Sequence, residues 1–319
     1  MSAEAEISVV VATRDRADRL EGLLRSLAAQ TIEPERFELI VVDDGSTDGT
    51  AGVLARAAEE GALSISVLRR DGNGPAAARN AGWRTARSPL VAFTDDDCEP
   101  PADWLEEALA GAAERPGAIV QGPTTPIPRE LERTGPFTRT KEITEPNPSF
   151  QTCNIVYPRE LLERLEGFDE GFPEALGEDT DLGWRARELG VDLHWSDGVR
   201  MHHAVDDVGA VGYLRGALRG ADAIRVFRRH PRLRSEGLRF GVVRSPRLPH
   251  LALALAGVAV ARRVPLLGAL LVLPYARALA GVCRRQRAPL LLAPYYAVWD
   301  LLFAYTAVRG SLRHRTLVL

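Results

Sequence analysis

Three consecutive carboxylates, Asp95, Asp96 and Asp97, directly follow the apolar run 89–93. That run is short enough to be a buried strand. Carboxylates repel one another and resist burial, so a strand that ends in three of them suggests a bound cation. Oxygen ligands of this kind suit Mg²⁺ or Mn²⁺, and such a metal could neutralise a diphosphate. The alternative is a solvated acidic turn, because acidic clusters are also common at strand ends.

Two other groups of polar residues stand at the ends of apolar runs. Residues 13–15 (Thr-Arg-Asp) follow the β-branched run 7–12, and Asp43 and Asp44 follow the run 37–42. Hydroxyl and carboxylate groups at these places could contact the polar parts of a ligand. Whether the groups belong to one site depends on the elements that lie between them.

Those elements alternate between strand-like and helical patterns. Strands are predicted at 7–12, 37–42, 65–68 and 90–93, with helices at 20–27, 51–60 and 76–87 between them. Asp15 or Asp18 is expected to cap the first helix, and Ser46, Thr47 or Asp48 the second. Strands alternating with helices predict a parallel sheet with helices on both faces. Because ligands bind such sheets beyond the carboxyl ends of the strands, one crevice should hold all three groups.

The segment after the triplet adds fewer regular elements. Residues 122–148 are rich in Pro, Thr and Glu with little periodicity, which predicts a flexible loop over the site. A strand is predicted at 150–156, and residues 177–181 (Gly-Glu-Asp-Thr-Asp) lead into a helix that ends at Gly190.

Composition excludes several classes of protein. A chain of 319 residues can bury a substantial core, and its net charge of −3 gives no reason to expect a nucleic-acid partner. Cys98, Cys153 and Cys283 are far apart and show no C-x-x-C spacing, so we expect neither a zinc site nor disulfides. The acidic residues 1–6 lack an apolar segment, so no signal peptide is expected.

The last third of the chain changes in composition. Ten arginines stand between 215 and 247, followed by apolar runs at 248–261, 264–276 and 289–308. The last run approaches the roughly 20 residues needed to span a bilayer, whereas the first two suit a re-entrant or interfacial hairpin. The arginines fit a cytoplasmic face against anionic lipid. A soluble helical domain or a dimerisation module is the alternative.

These patterns predict three regions. They are an α/β domain at 1–210 that holds the three polar groups, an Arg-rich helical connector at 211–247, and an apolar helical region at 248–319 that is expected to meet the membrane through 248–309. The expected location is the cytoplasmic face of the cell membrane, with the cytoplasm as the alternative. The sequence gives no indication of an oligomeric state.

Five motifs, in order, resemble those of the family 2 glycosyltransferases. They are VVVATRDR at 9–16, VVDDGSTD at 41–48, GPAAARNAG at 74–82, DDD at 95–97 and GEDTDL at 177–182. The resemblance covers roughly residues 7–205. It implies an α/β fold of the GT-A type, with a Rossmann-like mixed, mostly parallel sheet flanked by helices. It also implies a nucleotide-diphosphate sugar donor, a divalent metal (Mg or Mn) and transfer to an acceptor hydroxyl with inversion.

The resemblance assigns nine residues to the nucleotide. Asp44 would accept a hydrogen bond from a ring N–H of the base, and Thr13 and Asp15 would close the base pocket. Arg14 stands where many relatives carry a stacking aromatic residue, and an arginine plane can also stack. Arg79 would meet the ribose or diphosphate. The full set is Thr13, Arg14, Asp15, Asp43, Asp44, Arg79, Asn80, Asp95 and Asp96.

The family's metal motif, Asp-x-Asp, maps to Asp95 and Asp97. In some relatives the central carboxylate of such a triplet takes part in binding. By that alignment Asp96 would face the ribose or the metal. His203, or its neighbour His202, could add a ligand, although a lone histidine is more often structural. The metal would bridge the two phosphates and stabilise the leaving nucleoside diphosphate.

The family takes its catalytic base from a Glu-Asp pair, which maps to Glu178 and Asp179. Asp179 is the implied base and Glu178 a contact to acceptor or donor sugar. A plain helix N-cap by Asp179 is the alternative reading of this pair. Asn154 and Trp184 are further candidates for sugar or acceptor contact. The paired Arg that family members usually carry after this Asn is replaced here by Tyr157-Pro158-Arg159.

Two other functions remain open from the residues alone. A nucleotidyltransferase would also use a Rossmann-like sheet and metal-binding carboxylates, but residues 13–16 lack the glycines of its phosphate loop. An inactive sugar-nucleotide-binding membrane module is the second. For a glycosyltransferase with an apolar C-terminal region, a glycan or lipid-linked acceptor in cell-envelope or polysaccharide synthesis is expected.

Overall fold

The computed structural model describes residues 5–319, which divide into two compact units. The first unit contains the residues up to Glu130 together with Thr140–Ala204, and the second contains Leu131–Arg139 and Val205–Leu319. Residues 1–4, on which the expectation of no signal peptide largely rests, lie outside the described part. The predicted region boundaries at 210 and 247 stay predictions.

The elements are as follows in chain order. The strands are β1 (Ile7–Thr13), β2 (Phe37–Asp43), β3 (Ile65–Arg69), β4 (Leu90–Asp95), β5 (Cys98–Glu99), β6 (Ile119–Gln121), β7 (Thr124–Pro126), β8 (Thr138–Arg139), β9 (Asn154–Pro158), β10 (Leu193–Trp195), β11 (Met201–His203) and β12 (Asp206–Asp207). The α-helices are α1 (Ala17–Ala28), α2 (Thr50–Glu60), α3 (Pro75–Thr85), α4 (Trp104–Glu114), α5 (Arg159–Arg164), α6 (Glu178–Glu188), α7 (Gly209–Ala217), α8 (Arg225–Arg229), α9 (Pro231–Gly237), α10 (Leu248–Ala261), α11 (Pro265–Arg285) and α12 (Ala293–His314).

The first unit is built on a seven-stranded sheet in the order β10-β6-β9-β4-β1-β2-β3. Strand β1 lies between β2 and β4 and pairs in parallel with both, and β3 extends the parallel part beyond β2. Strand β9 is antiparallel to β4 and to β6. This arrangement confirms the expected mixed, mostly parallel sheet flanked by helices.

The central parallel strands β1, β2 and β4 are buried because most of their residues are apolar on both faces, whereas the edge strand β3 is partly exposed. Every residue of β2 is buried, including Leu39 and Val41 at its centre. Helix α3 approaches the sheet closely at Gly82, where an added Cβ would lie 2.4 Å from Cγ1 of Val10. The glycine that ends the GPAAARNAG motif therefore allows a helix to pack tightly against the central strand.

A second, three-stranded sheet has the order β5-β11-β7. Its strand β11 pairs antiparallel with β5, so that His203 stands opposite Cys98. This pairing brings a histidine that is about a hundred residues away in sequence next to the acidic triplet.

The predicted helix caps are wrong in detail. The N-caps are Arg16 for α1 and Gly49 for α2, and neither has a capping side-chain hydrogen bond. Instead the Asp48 carboxylate accepts from the N–H of Ala17 (3.2 Å) and from the N–H of Thr50 (2.9 Å). One carboxylate thus accepts hydrogen bonds from the first turns of two helices. The sequence pattern of each helix alone does not predict such a shared acceptor.

The prediction of one flexible loop at 122–148 is also wrong. Strand β7 lies within it, and the backbone groups of Thr124 and Ile143 exchange two hydrogen bonds of 2.8 Å. Strands of two or three residues are too short to give a periodic sequence signal. The strand expected at 150–156 begins only at Asn154, because Phe150 has a left-handed backbone (φ 52°).

The second unit contains the three apolar helices. The run expected to end at Ala276 continues as α11 to Arg285, so this helix has 21 residues. Two helical segments are long and apolar enough to cross a membrane, Pro265–Arg285 with mean hydropathy 1.8 and Leu290–His314 with mean hydropathy 1.3. Within this unit Asp300 is buried, where it pairs with Arg247 (2.7 Å) and accepts a hydrogen bond from the Tyr275 hydroxyl (3.0 Å).

Candidate active site

The carboxyl ends of the three central parallel strands meet at one edge of the large sheet. Thr13 is the register partner of Asp43, and Ala12 is the register partner of Asp95. The three polar groups of the sequence are therefore neighbours, as parallel pairing requires. Their individual contacts distinguish residues that can meet a ligand from residues that hold the protein together.

The Asp44 carboxylate is 4% exposed and binds the loop that precedes α3. It accepts from the N–H of Asn73 (3.0 Å) and from the N–H of Gly74 (2.8 Å). Asp43 accepts from the N–H of Ser46 (2.8 Å) and so shapes the turn after β2. Each Asp44 oxygen keeps a second lone pair, so this side chain can still accept from a ring N–H of a nucleotide base.

The residues after β1 contact the turn that follows β2. Asp15 has a left-handed backbone (φ 52°), its N–H donates to Ser46 Oγ (3.0 Å), and its carboxylate accepts from the N–H of Thr47 (2.7 Å). The hydrogen bond from Thr47 lowers the pKa of Asp15. The Arg14 side chain is 55% exposed, and the buried Thr13 hydroxyl lies beside Asp96, where burial raises the pKa of the carboxyl and this hydroxyl acts to lower it.

Asp95 is neutralised by protein cations on both of its oxygens. Arg79 donates to Oδ1 (3.1 Å), and Lys141 donates to Oδ2 (2.8 Å). Burial acts to raise the pKa of Asp95, but the charges of Lys141 and Arg79 together hold it below its ordinary range. A carboxylate already paired with two cations is less available to a metal than a free one, and the assignment of Asp95 to the metal stays a prediction.

Asp96 differs from both of its neighbours. Its side chain is buried, and burial together with the adjacent charge of Asp97 raises the pKa of Asp96 to about 7. Near neutral pH this carboxyl is therefore protonated in about half of the molecules. In that form it can donate a hydrogen bond as well as accept one, which suits contact with a ribose hydroxyl.

Asp97 has the geometry of a metal ligand. Its Oδ1 is buried without a hydrogen-bond partner among the described residues and lies 3.4 Å from Nε2 of His203. The Nδ1 of His203 is 2.9 Å from the carbonyl oxygen of Ala204, which can only accept, so Nδ1 carries the proton. In the neutral ring, Nε2 and Oδ1 thus present lone pairs to each other, and a cation between them would satisfy both.

The Cys98 thiol lies close to the possible ligand atoms of Asp97 and His203, but it does not suit a hard divalent cation. Ligand atoms of Asp97, Cys98 and His203 lie within 4.8 Å of one another. The Cys98 thiol instead faces the carbonyl oxygen of Cys153 at 3.8 Å, and burial raises its pKa well above the ordinary range. A neutral thiol does not bind Mg²⁺ or Mn²⁺, so Asp97 and His203 remain as the residues that fit a hard divalent cation.

Glu178 and Asp179 begin helix α6, where the helix dipole favours negative charge. Glu178 is 2% exposed and accepts from the Arg79 guanidinium (2.8 Å), while its other oxygen has no hydrogen-bond partner among the described residues. Burial and the charge of Asp179 raise the pKa of Glu178 to about 7. Burial also raises the pKa of Asp179, which is the direction a general base needs.

Arg79 connects the metal end and the base end of the site. One guanidinium nitrogen donates to Glu178 and another to Asp95, and the side chain is buried. The predicted residues Arg79, Asp95, Glu178 and Asp179 are thus brought together, although α3 and α6 are about a hundred residues apart.

Asn80 does not face this site. Its Nδ2 donates to the carbonyl oxygen of Phe168 (2.9 Å) and to Glu170 (2.8 Å). Its Oδ1 accepts from the Trp83 indole (2.9 Å) and from the N–H of Phe168 (2.8 Å). All four hydrogen-bonding positions of the amide are taken by the protein, which corrects the expectation that Asn80 binds the nucleotide.

Asn154 is likewise a structural residue. It is fully buried, accepts from the indole of Trp104 (2.9 Å), and donates to the carbonyl oxygens of Gly122, Pro123 and Val199 at 3.2, 3.3 and 2.7 Å. The amide crosslinks segments of the first unit, and a sugar could not reach it. The expected sugar contact is therefore wrong.

Trp184 is a core residue. Its side chain is 2% exposed, its indole N–H donates to the carbonyl oxygen of Pro148 (2.9 Å), and the Arg187 guanidinium lies 4.5 Å from the ring centroid. An indole covered in this way cannot serve as a sugar platform, so this expectation also fails.

Sequence reasoning missed two cations of the site. Lys141 binds Asp95, and a guanidinium nitrogen of Arg16 lies 3.5 Å from Asp97. Lys141 carried a weak signal, because it is the one lysine in a chain with 40 lysines and arginines. Arg16 carried none beyond its place as the last residue of the first motif.

The chain is similar in sequence to known glycosyltransferases. Residues 8–166 match the family model "Glycosyl transferase family 2". The validoxylamine A glucosyltransferase of Streptomyces hygroscopicus subsp. limoneus is 32% identical over 222 residues, which cover 59% of this chain and 49% of that protein. The chain spans about half the length of the curated relatives it matches first, at 49% and 52%.

Two solved structures share the fold. The mannosyltransferase PcManGT from Pyrobaculum calidifontis, in complex with GDP-Man and Mn²⁺, has a TM-score of 0.67 at 23% identity, covering 98% of this chain and 88% of that one. TarS 1-349 from S. aureus, in complex with UDP, has a TM-score of 0.52 at 20% identity, covering 98% and 92%. The family match covers about half of the chain and most of the first unit, and the chain belongs to glycosyl transferase family 2.

Proposed function

We propose that this protein is a metal-dependent, inverting glycosyltransferase that moves a sugar from a nucleotide-diphosphate donor to an acceptor hydroxyl. The observation that carries the proposal is the unpartnered Asp97 oxygen that faces His203 Nε2 at 3.4 Å. Asp97 of this pair follows β4 at the same sheet edge as Asp44. Asp95, two residues before Asp97, shares Arg79 with Glu178, the neighbour of Asp179. A cation site beside a base pocket and a carboxylate with raised pKa are the parts that sugar transfer requires.

The donor would lie along the carboxyl edge of the sheet. Asp44 would accept from the base, Arg14 would stack on it, and Asp96 would bind the ribose. Asp97 and His203 would hold Mg²⁺ or Mn²⁺, which stabilises the negative charge that develops on the leaving diphosphate. The ligands named for PcManGT (GDP-Man with Mn²⁺) and for TarS (UDP) support this class of donor.

Asp179 would act as the general base. Its carboxylate would take the proton of the acceptor hydroxyl as that oxygen attacks the anomeric carbon. Attack from the face opposite the leaving group breaks the bond to the diphosphate oxygen, and a single displacement inverts the configuration. Burial keeps the carboxylate basic by raising its pKa, while Arg79 and Lys141 nearby favour its charged form. Glu178, held by Arg79, would orient the sugar.

The second unit would bring the protein to a membrane. Its helices expose large apolar side chains, among them Leu266 and Leu291, each 86% exposed, and Leu270, 65% exposed. Exposed leucines beside an Arg-rich segment suit the cytoplasmic face of a membrane with anionic lipids. We therefore propose a catalytic domain at 1–210, a connector at 211–247 and a membrane-associated region at 248–319.

A membrane-associated catalytic domain points to a class of acceptor. A glycan or a lipid-linked glycan of the cell envelope would present its hydroxyl at the membrane surface. Polysaccharide synthesis is the process that such an acceptor fits.

Two substitutions test the assignment of base and metal ligand separately. In Asp179→Asn, transfer should fall by about a thousandfold or more, while binding of the nucleoside diphosphate changes by less than about threefold. In Asp97→Ala, binding of the nucleoside diphosphate in Mn²⁺ should weaken at least about tenfold. Asp18→Asn, at an exposed position on α1, is the matched control and should behave as wild type.

The outcomes separate the two roles. Equal loss of transfer and nucleotide binding in Asp179→Asn would exclude a base role for this residue. Full wild-type activity in the presence of a chelator would exclude the metal site at Asp97 and His203.

A further inference from the structure

Lys141 is a cation of the candidate site that has no role in binding the nucleotide base or the metal as proposed above. It is the only lysine of the chain, and its Nζ donates to Asp95 Oδ2 at 2.8 Å. Its side chain is 39% exposed, whereas the side chain of Arg79, the other cation on Asp95, is 7% exposed. Lys141 is thus the accessible member of the pair.

Asp95 holds Lys141 by a single hydrogen bond. The Asp95 carboxylate also accepts from Arg79 at 3.1 Å, and Arg79 is shared with Glu178 at 2.8 Å. The Lys141 side chain is partly exposed at this site. A partly exposed ammonium can bind an anionic ligand while it keeps its contact to a carboxylate.

The ammonium also has unused donors. An –NH₃⁺ group has three N–H donors, and Asp95 is the one hydrogen-bond acceptor that Nζ contacts among the described residues. The other two can donate to oxygens of a phosphate, a role that lysine commonly fills as a point charge. Burial raises the pKa of Asp179 and the charge of Lys141 acts to lower it, so the ammonium lies near the proposed base.

We propose that Lys141 binds the terminal phosphate of the nucleoside diphosphate and stabilises it as the leaving group. This inference rests on the proposed function. When the bond between the anomeric carbon and the phosphate oxygen breaks, its electron pair stays on that oxygen. Lys141 donates a hydrogen bond to this phosphate and transfers no proton, and the proton of the acceptor goes to Asp179. Asp95, which is itself held by Arg79, then positions Lys141.

The test compares nucleotides that differ by the terminal phosphate. Binding of UDP, GDP, ADP, CDP and dTDP, and of the corresponding monophosphates, is measured by calorimetry in Mn²⁺ with wild type and Lys141→Met. For the diphosphate that wild type prefers, affinity should fall about tenfold, whereas affinity for its monophosphate should change by less than about threefold. Arg87→Met, which removes an exposed cation paired with Glu38, controls for the loss of one positive charge.

Three results would overturn the inference. Unchanged diphosphate binding by Lys141→Met would do so, and so would an equal loss for diphosphate and monophosphate, because the lysine would then only support Asp95. Wild type that binds none of the diphosphates would overturn the proposed function as well. If Lys141→Met does not fold, Lys141→Gln, which can still donate to Asp95, should show the same selective loss.

Discussion

The pH dependence of stability should be controlled in part by Asp96. Its pKa is raised from 3.8 to about 7, so the folded protein binds a proton that the unfolded chain does not bind between about pH 4 and pH 7. The free energy of unfolding should therefore decrease as the pH rises through this window and level off above it. Asp96→Asn removes the buried charge and should make the protein more stable than wild type at pH 8.

The size of the effect follows from the shift in pKa. A shift of roughly three units, at about 1.4 kcal/mol per unit, sets an upper bound of about 4 kcal/mol at pH 8. We expect a gain of at least about 1 kcal/mol for Asp96→Asn, because solvent penetration and the nearby Arg16 reduce the cost of the charge. The pKa of Glu178 is also raised to about 7, so the variant should keep part of the slope.

Denaturant unfolding at pH 5, 6, 7 and 8 in the presence of a chelator measures this effect. Asp18→Asn, which removes an exposed carboxylate from the same unit, should keep the wild-type slope. The reasoning is refuted if Asp96→Asn has the wild-type slope between pH 5 and 8, or if it is less stable than wild type at pH 8.

Three further predictions concern other parts of the molecule. Asn154→Ala leaves buried groups unpaired, so it should lower the free energy of unfolding by about 2–4 kcal/mol. Its nucleotide affinity should change less than about twofold. Loss of affinity without loss of stability would instead show that Asn154 binds a ligand. The rate of transfer should fall on acidification through the raised pKa of Asp179, and a flat profile down to pH 4 would contradict this. Leu266→Asp with Leu270→Asp should abolish flotation with anionic liposomes, and unchanged flotation would exclude this surface.

The sequence predicted those parts of the fold that depend on local pattern. The apolar runs that became β1, β2 and β4 are continuous and β-branched, and parallel pairing then determines that Thr13, Asp43 and Asp95 share an edge. The length of α11 was underestimated, because arginines near its end interrupt the apolar pattern without ending the helix.

The roles of individual polar side chains were less accessible, because they depend on partners far away in sequence. Asn80 and Asn154 look like ligand contacts in the sequence, yet their amides bond to protein groups up to 90 and 50 residues away. Lys141 stands 46 residues from Asp95 in a segment without periodicity. Which of three adjacent carboxylates binds a metal likewise depends on whether cations or His203 face it.

The central claim is that donor binding at this site depends on a divalent metal, and thermal unfolding measures it most directly. A panel of sugar nucleotides is added to the protein in Mn²⁺ and, separately, in chelator. We predict that one donor raises the unfolding temperature in Mn²⁺, with little effect in chelator and little effect on Asp97→Ala. Equal stabilisation in chelator, or by Asp97→Ala as by wild type, would contradict the account.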